Sequence, residues 1–132
     1  MIPYNPPIDE MSFLLNDLGM LPQVSSLPGY EEADAELVDA LLNEAGKLSS
    51  EVLAPLNKSG DDQGARFENG VVRTADGFAD AYQTYVEGGW NALTCNTEYG
   101  GQQMPSLIGP AVLEMFTSAN MAWSLCPLLP VG

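Results

Sequence analysis

The segment from residue 105 to residue 127 constrains the fold most strongly, because it is long and almost free of charge. Its single charged side chain is Glu114. Apolar side chains fall on every side of a helix drawn through this segment: Val112, Leu113, Met115, Phe116, Met121, Trp123 and Leu125. A helix that is apolar all round is buried on every side. We therefore expect one helix that begins at Pro105 and needs protein on all of its faces.

Three further helices are predicted by apolar residues at helical spacing, over residues 8–20, 31–54 and 77–88. The second of them has acidic residues near its start and Lys47 toward its end, as the helix dipole favours. Pro55 is expected to end this helix, because proline interrupts the backbone hydrogen bonding of a helix interior.

Turn residues dominate the stretch from residue 57 to residue 77, which is predicted to be mostly loop. Within it, Asn69-Gly70 separates two short runs and predicts a tiny β-hairpin near residues 66–73. Three prolines within residues 1–7 predict an extended arm. The predicted fold class is therefore all-α, with at most one small hairpin.

The predicted elements are too few to bury the apolar segment completely. Three helices and a hairpin can cover one or two faces of residues 105–127, but not all of them. We therefore expect residues 1–132 to form a single α-helical domain. We also expect it to be a fragment of a larger protein, or a subunit that needs a large partner surface.

The charge balance excludes several functions. The chain has 18 acidic and 4 basic residues, no histidine, and a net charge of -14. Nucleic acids and anionic membranes require a basic surface, so neither is an expected partner. Glu114 and Pro110 argue against a membrane span across the apolar segment.

Little catalytic chemistry is visible in the residues themselves. Without histidine, a nucleophile could be paired only with a carboxylate or a lysine as its base. Gly100-Gly101 does not belong to a phosphate-binding motif. Asp61-Asp62 lacks the spacing of a calcium loop. The sequence therefore predicts no catalytic residue and no metal ligand.

The two cysteines and the N-terminus indicate the compartment. Cys95 and Cys126 are predicted to be reduced thiols, at least one of them buried. The first seven residues have neither the basic residue nor the apolar run of a signal peptide. Both features predict a cytoplasmic protein.

Glu114 allows two interpretations, because a carboxylate in an apolar helix is costly unless it is paired or neutral. It could form an ion pair or a backbone hydrogen bond that ties this helix to a neighbour. It could instead be a polar group at the floor of a ligand pocket, with Ser118 and Asn120 about one turn further on. The residues alone leave both interpretations open.

An ordered set of motifs resembles one known family. They are APLNKSGDDQG at 54–64, FENGVV at 67–72, GFADAY at 77–82, VEGGWNAL at 86–93, EYGGQQMP at 98–105 and EMFTSANMA at 114–122. Together they resemble the N-terminal helical domain of acyl-CoA dehydrogenases, in particular the larger bacterial subgroup. The resemblance covers nearly the whole chain. No single motif is decisive, but their order is fairly specific.

The resemblance implies a three-domain enzyme: a helical N-terminal domain, a middle β-domain and a helical C-terminal domain. FAD would lie between the last two, and a glutamate of the C-terminal domain would remove the α-proton of the acyl-CoA while hydride passes to the flavin. The catalytic base and most of the flavin site would then lie outside this chain, which would be inactive alone. The implied partners are acyl-CoA, the missing domains and, as one possibility, further copies of the same protein.

The same resemblance implies that this domain helps to wall the acyl pocket. Glu114, Met115, Ser118 and Ala119 would sit near the distal end of that pocket, and the turn at residues 98–101 would reverse the chain between two helices. The alternative is a non-enzymatic helical interaction module that buries residues 105–131 against a partner or its own copy. An acidic calcium-binding domain is a third reading that rests on charge alone.

Overall fold

Helices account for most of the computed structural model, which describes residues 3–131, and side chains through residue 130. The α-helices are α1 (Ile8–Ser12), α2 (Leu21–Ser25), α3 (Ala35–Lys47), α4 (Ala54–Gln63), α5 (Phe78–Glu87), α6 (Ile108–Ala119) and α7 (Met121–Leu128). Two short strands, β1 (Arg66–Glu68) and β2 (Val71–Arg73), pair antiparallel. The all-α fold with one small hairpin is confirmed.

The predicted helix end at Pro55 is wrong. The chain continues as helix from α3 into α4 through Leu48–Leu53, which is wound with the wider π-helical spacing. The proline stands in the first turn of α4, where a missing N–H is tolerated. The Ser49 hydroxyl donates back to the Ala45 carbonyl at 2.7 Å. Residues 57–63, predicted as loop, are therefore the second half of α4.

The N-terminal helix is shorter than predicted. Helix α1 passes into a second π-helical segment, Phe13–Asp17, and Gly19 then takes a φ of 97° that few other residues adopt. Helix α2 was not predicted. Residues 3–7 have no regular secondary structure, while the first two residues of the predicted arm and Gly132 lie outside the described residues.

The hairpin and α5 agree with their predictions. Arg66 pairs with Arg73, and the turn residues Asn69 and Gly70 both have positive φ angles, of 51° and 79°. A two-residue type I′ turn requires this geometry at both positions. Both strands are exposed along their whole length.

The apolar segment forms two helices, so the prediction of one continuous helix from Pro105 is wrong. Asn120 breaks it with extended backbone angles, φ −157° and ψ 90°. Its side-chain oxygen accepts from the Trp123 backbone N–H at 3.1 Å, which caps α7. Its amide donates to the Leu53 carbonyl at 3.2 Å, so the break is fixed to the π-helical segment before α4.

An aromatic cluster fills the core between α5, α6 and α7. Tyr85 packs edge-on against Phe116 and Trp123, with ring centroids 5.9 and 5.6 Å apart. The indole N–H of Trp123 donates to the Phe78 carbonyl at 3.2 Å, which ties α7 to the start of α5. Edge-on pairs suit the charge distribution of aromatic rings.

Parts of the apolar segment stay uncovered, as the shortage of covering elements predicted. Met121, Leu125 and Leu129 form an exposed stripe along α7 and the turn that follows. In α6 the exposed positions are Pro110, Glu114 and Ser118, so this helix has one partly polar face that is not buried. None of the helices formed by residues 3–131 is long and apolar enough to cross a membrane.

Candidate functional site

The stretch between α5 and α6 folds back on itself and builds one wall of a groove. Met104 N–H donates to the Leu93 carbonyl, and Gln103 N–H donates to the Cys95 carbonyl, both at 2.9 Å. A Cβ atom at Gly101 would lie 2.0 Å from the Cys95 carbonyl oxygen, so only glycine fits there. The predicted chain reversal around residues 98–101 is confirmed.

The groove lies between this loop, α6 and the end of α7, and its volume is about 430 Å³. Most of its wall is apolar or aromatic. It is lined by Tyr85, Trp90, Asn91, Leu93, Thr94, Cys95, Ser106, Gly109, Pro110, Val112, Leu113, Phe116, Pro127 and Leu128. The few polar groups are Asn91, Thr94, Cys95 and Ser106. A groove of this size and character suits an apolar ligand or an apolar part of one.

Tyr85 forms part of the groove wall and remains protonated well into the alkaline range. Burial raises the pKa of its phenol to about 12, and the nearby Tyr82, Cys126 and Cys95 add to the rise. The phenol is therefore a neutral group at neutral pH. The Tyr85 side chain therefore adds wall surface to the groove and no charge.

The four residues predicted to line a pocket do not line this groove. Met115 and Ala119 are buried in the core. Glu114 and Ser118 are exposed on another face of α6. The structure brings Glu114 and Ser118 together but separates them from Met115 and Ala119.

Tyr4 of the N-terminal segment lies beside Glu114 and Ser118. Burial raises the pKa of the Tyr4 phenol above its usual value; the Ser118 hydroxyl opposes this rise, and the Glu114 carboxylate adds to it. The segment also contacts α3, because a Cβ atom at Gly46 would lie 2.9 Å from Ile8 Cδ1 and 3.0 Å from Pro6 Cγ. Residues 4–8 therefore cross from α6 to α3.

The structure narrows the interpretations of Glu114, and one expectation about the cysteines is wrong. Glu114 forms no ion pair with any side chain among residues 3–130; those found there join Lys47 to Glu44 and Lys58 to Asp62. Because Glu114 is exposed, it needs no compensating partner. Cys95 and Cys126 are free thiols, but both are exposed, whereas one was expected to be buried.

Comparison with known proteins identifies the family. No protein-family profile matches the chain. 3-Methylmercaptopropionyl-CoA dehydrogenase of Ruegeria pomeroyi is 39% identical over 129 residues, which cover 98% of this chain and 22% of that protein. Butyryl-CoA dehydrogenase of Syntrophomonas wolfei is 34% identical over 95 residues, which cover 67% of this chain and 15% of that protein.

The chain belongs to the acyl-CoA dehydrogenase family. It corresponds to the N-terminal region of that family, as the ordered motifs predicted. It spans less than a quarter of the length of either relative. The helical fold agrees with that of an acyl-CoA dehydrogenase N-terminal domain.

Acyl-CoA dehydrogenases use FAD, and the groove of this N-terminal region offers no cationic side chain for the diphosphate of that cofactor. The diphosphate of FAD requires cationic side chains or several aligned N–H donors. None of the groove residues is a lysine or an arginine. Among residues 3–131, no group of three or more Asp, Glu, Cys or His side chains is placed to hold a metal ion.

Sequence reasoning missed most of the groove. Trp90, Leu113 and Phe116 come from two regions of the sequence that meet only after the glycine-rich loop closes. One sequence signal could have located this part of the groove, the tryptophan directly after Gly88-Gly89. In the structure Gly89 adopts a φ of 74°. A turn that needs glycine next to a large aromatic residue indicates a side chain placed for a specific contact.

Proposed function

We propose that this chain is the N-terminal domain of a FAD-dependent acyl-CoA dehydrogenase, which forms a double bond between the α and β carbons of an acyl-CoA thioester. In the complete enzyme this domain helps to wall the acyl pocket. The catalytic base and the FAD site belong to the missing middle and C-terminal domains. This chain alone would therefore be inactive.

The apolar groove is the observation that carries the proposal. An acyl chain is a flexible hydrocarbon, and its affinity comes from burial of about 0.8 kcal/mol per CH₂ group. The groove offers aromatic and aliphatic walls with polar groups confined to Asn91, Thr94, Cys95 and Ser106. Such a surface supports contact with hydrocarbon, and it becomes a closed pocket when another domain covers its open side.

Glu114, Met115, Ser118 and Ala119 remain part of the proposal in two different ways. Glu114 and Ser118 are exposed, so they can meet an acyl chain or another domain directly. Met115 and Ala119 are buried, so they would act by setting the position of α6. We expect the groove residues on α6 to have the stronger effect on substrate choice.

The first test is the intact mass of the encoded protein together with its visible absorption spectrum. The proposal predicts a polypeptide several times longer than this chain, with the absorption bands of a bound flavin. It also predicts reduction of that flavin on addition of an acyl-CoA thioester. A protein that contains this chain but binds no flavin would refute the proposal.

The second test compares two variants of the complete enzyme. Gly109→Ala adds a methyl group that would lie 3.6 Å from Thr94 Cγ2, an ordinary contact, and so narrows the groove without distorting α6. We expect kcat/KM to fall more for long acyl chains than for short ones. Glu114→Gln, on the other face of α6, tests the other surface. If neither variant changes chain-length preference, this domain does not wall the pocket.

The exposed stripe of Met121, Leu125 and Leu129 supports a second candidate, a non-enzymatic interaction module. In that case residues 105–131 would be buried against a partner protein or a second copy. The absorption spectrum separates the two candidates, because an interaction module carries no flavin. Size-exclusion chromatography with light scattering would then show whether the partner is a second copy.

The proposal also covers the cellular compartment and the remaining partners. Two free, exposed thiols and the acidic surface support a cytoplasmic protein that binds no nucleic acid. Fractionation of cells that produce the complete protein would test the compartment. A homo-oligomer would be tested by the same light-scattering measurement.

A further inference from the structure

The N-terminal helical stretch, residues 8–17, buries Met11 as a surface helix should, but it departs from the usual pattern at four other positions. Ser12 and Asn16 face inward, and both donate to the Asp39 carboxylate of α3, at 2.6 and 3.2 Å. Phe13 and Leu14 face outward and are 52% and 56% exposed. A helix that normally faces water places its polar residues outside.

The contacts on the inner side fix this orientation. Met11 is buried, and Ile8 packs against Gly46 of α3. Rotating the helix to bury Phe13 and Leu14 would break these contacts together with the two hydrogen bonds to Asp39. Leu18 and Met20, 64% and 60% exposed, extend the outward apolar surface beyond the end of the helix. Phe13, Leu14, Leu18 and Met20 are called the outer face below.

The surroundings of the outer face carry negative charge. Asp9, Glu10 and Asp17 are exposed, and they lie three or four residues from Phe13 or Leu14, which makes them neighbours on the helix surface. No lysine, arginine or histidine occurs before Lys47. An apolar centre with an acidic rim is complementary to an apolar surface with a basic rim.

We propose that the outer face is a docking surface for a segment of the remaining polypeptide that carries apolar residues flanked by lysine or arginine. This inference rests on the proposed function in one respect, that the chain is part of a longer protein. A second copy is a poor occupant, because a two-fold contact would bring Asp9, Glu10 and Asp17 close to their own copies. The outer face is separate from the groove and from the stripe on α7.

Thiol labelling of the complete protein tests the proposal. Leu14→Cys and Leu18→Cys report on the outer face, and Val72→Cys, at a position 66% exposed on the hairpin, is the matched control. Each variant is treated with iodoacetamide twice, once as native and once as denatured protein. Mass spectrometry then identifies the labelled cysteine. The ratio of the two rates removes differences in intrinsic reactivity.

We expect both outer-face thiols to be labelled at least about tenfold more slowly than the control in native protein, because labelling then requires local opening. Raising the salt concentration from about 0.05 to 0.5 M should speed labelling at Leu14→Cys but not at Val72→Cys, because it screens the charged rim. Slow labelling that does not depend on salt would refute the lysine or arginine residues that we propose on the docked segment. Labelling that becomes fast on dilution would identify a second copy and overturn the proposal.

The flavin spectrum of the same samples separates this inference from the proposed function. Fast labelling of both outer-face thiols in a protein that binds flavin and oxidises acyl-CoA would overturn the docking surface alone. Absence of flavin would refute the proposed function whatever the labelling rates are.

Discussion

Two inward-facing asparagines differ in their hydrogen bonds, because only one of them has a partner for both its side-chain oxygen and its side-chain nitrogen. Asn120 is 1% exposed, donates to the Leu53 carbonyl and accepts from the Trp123 N–H. Asn16 donates to Ser12 and Asp39, but its buried side-chain oxygen has no hydrogen-bond partner among the described residues. Asn120 therefore has partners for its side-chain oxygen and nitrogen within this chain, whereas the oxygen of Asn16 and the hydroxyl of Ser124 have none among the described residues.

The apolar surroundings differ in the same way. The core near Asn120 encloses Phe116 and Trp123, which are both buried. Next to Asn16, Phe13 and Leu14 point away from the chain. Exposed apolar side chains beside a buried oxygen without a partner are typical of a surface that another element covers, and we infer such a surface at the N-terminal stretch. The asparagine at the α6–α7 junction has its partners among the described residues, and the exposed stripe of that region lies further along α7.

The largest predicted effect belongs to Asn120→Ala. This change leaves the Trp123 N–H unpaired in the core and removes the amide donor to the Leu53 carbonyl, which should cost about 2–4 kcal/mol of local stability. Native-state hydrogen exchange at the amides of α7 would measure it. Ser124→Ala is the control, because the Ser124 hydroxyl is buried without a hydrogen-bond partner among residues 3–130 and its removal should be neutral or stabilising.

A loss of less than about 0.5 kcal/mol for Asn120→Ala would contradict the comparison, since a buried pair of hydrogen bonds cannot be removed so cheaply. It would mean that α6 and α7 rejoin as one helix. NMR relaxation of the Leu53 and Leu125 methyl groups would then report one shared exchange process, which we do not expect in the wild-type protein.

The second prediction concerns the alkaline stability of the core. The pKa of Tyr85 is raised to about 12 in the folded protein, against an ordinary value of 10.0. Above pH 10 the unfolded chain releases this proton first, so its contribution to stability is complete below pH 10 and is lost as pH rises toward 12. The slope for one proton approaches about 1.4 kcal/mol per pH unit.

Tyr85→Phe should remove this part of the pH dependence, measured as the free energy of local opening of α5 and α7 between pH 9 and 11. Tyr4→Phe is the comparison at the N-terminal segment. The pKa of Tyr4 is also raised by burial, but Tyr4 is only half-buried, so we expect a smaller change. An equal change for both would erase the distinction between a finished core and an open interface.

Several elements were predictable from sequence because their signals are local. The spacing of apolar residues located α3 and α5, and Asn69-Gly70 located the hairpin. The helix through Pro55 was missed because π-helical winding leaves no signal in apolar spacing. The break at Asn120 was missed because it depends on a hydrogen bond to Leu53, a residue 67 positions away in the chain.

The candidate site was less predictable than the fold. The lone charge of Glu114 drew attention to its face of α6, yet that face is exposed and the groove lies on another. The groove depends on how the loop from Gly89 to Met104 closes against α6, which is a long-range contact. Spacing within a helix shows which residues share a face, but not which neighbour covers that face.

The third prediction is a smaller effect, at Asn16. Asn16→Ala removes its hydrogen bonds to Ser12 and Asp39, and also removes the unpaired oxygen. These contributions oppose each other, so we expect a loss of about 1 kcal/mol or less. Exchange of amides in residues 8–17 would measure it. A loss as large as that of Asn120→Ala would show that the two asparagines are equally well satisfied in the complete protein.

The smallest net effect is expected for Gly46→Ala, which separates the stability of α3 from the seating of the N-terminal segment. Alanine in a helix interior is favoured over glycine by about 1 kcal/mol, which should protect α3 itself. The new methyl group would meet Ile8 Cδ1 at 2.9 Å and Pro6 Cγ at 3.0 Å, so the side chains of Ile8 and Pro6 must give way and loosen the contact with α3. We expect faster amide exchange in residues 8–12 and equal or slower exchange in α3.

Gly109→Ala is the control, because its methyl group has ordinary clearance. Uniformly faster exchange through α3 would mean that the N-terminal segment is part of the core rather than a surface attached to it.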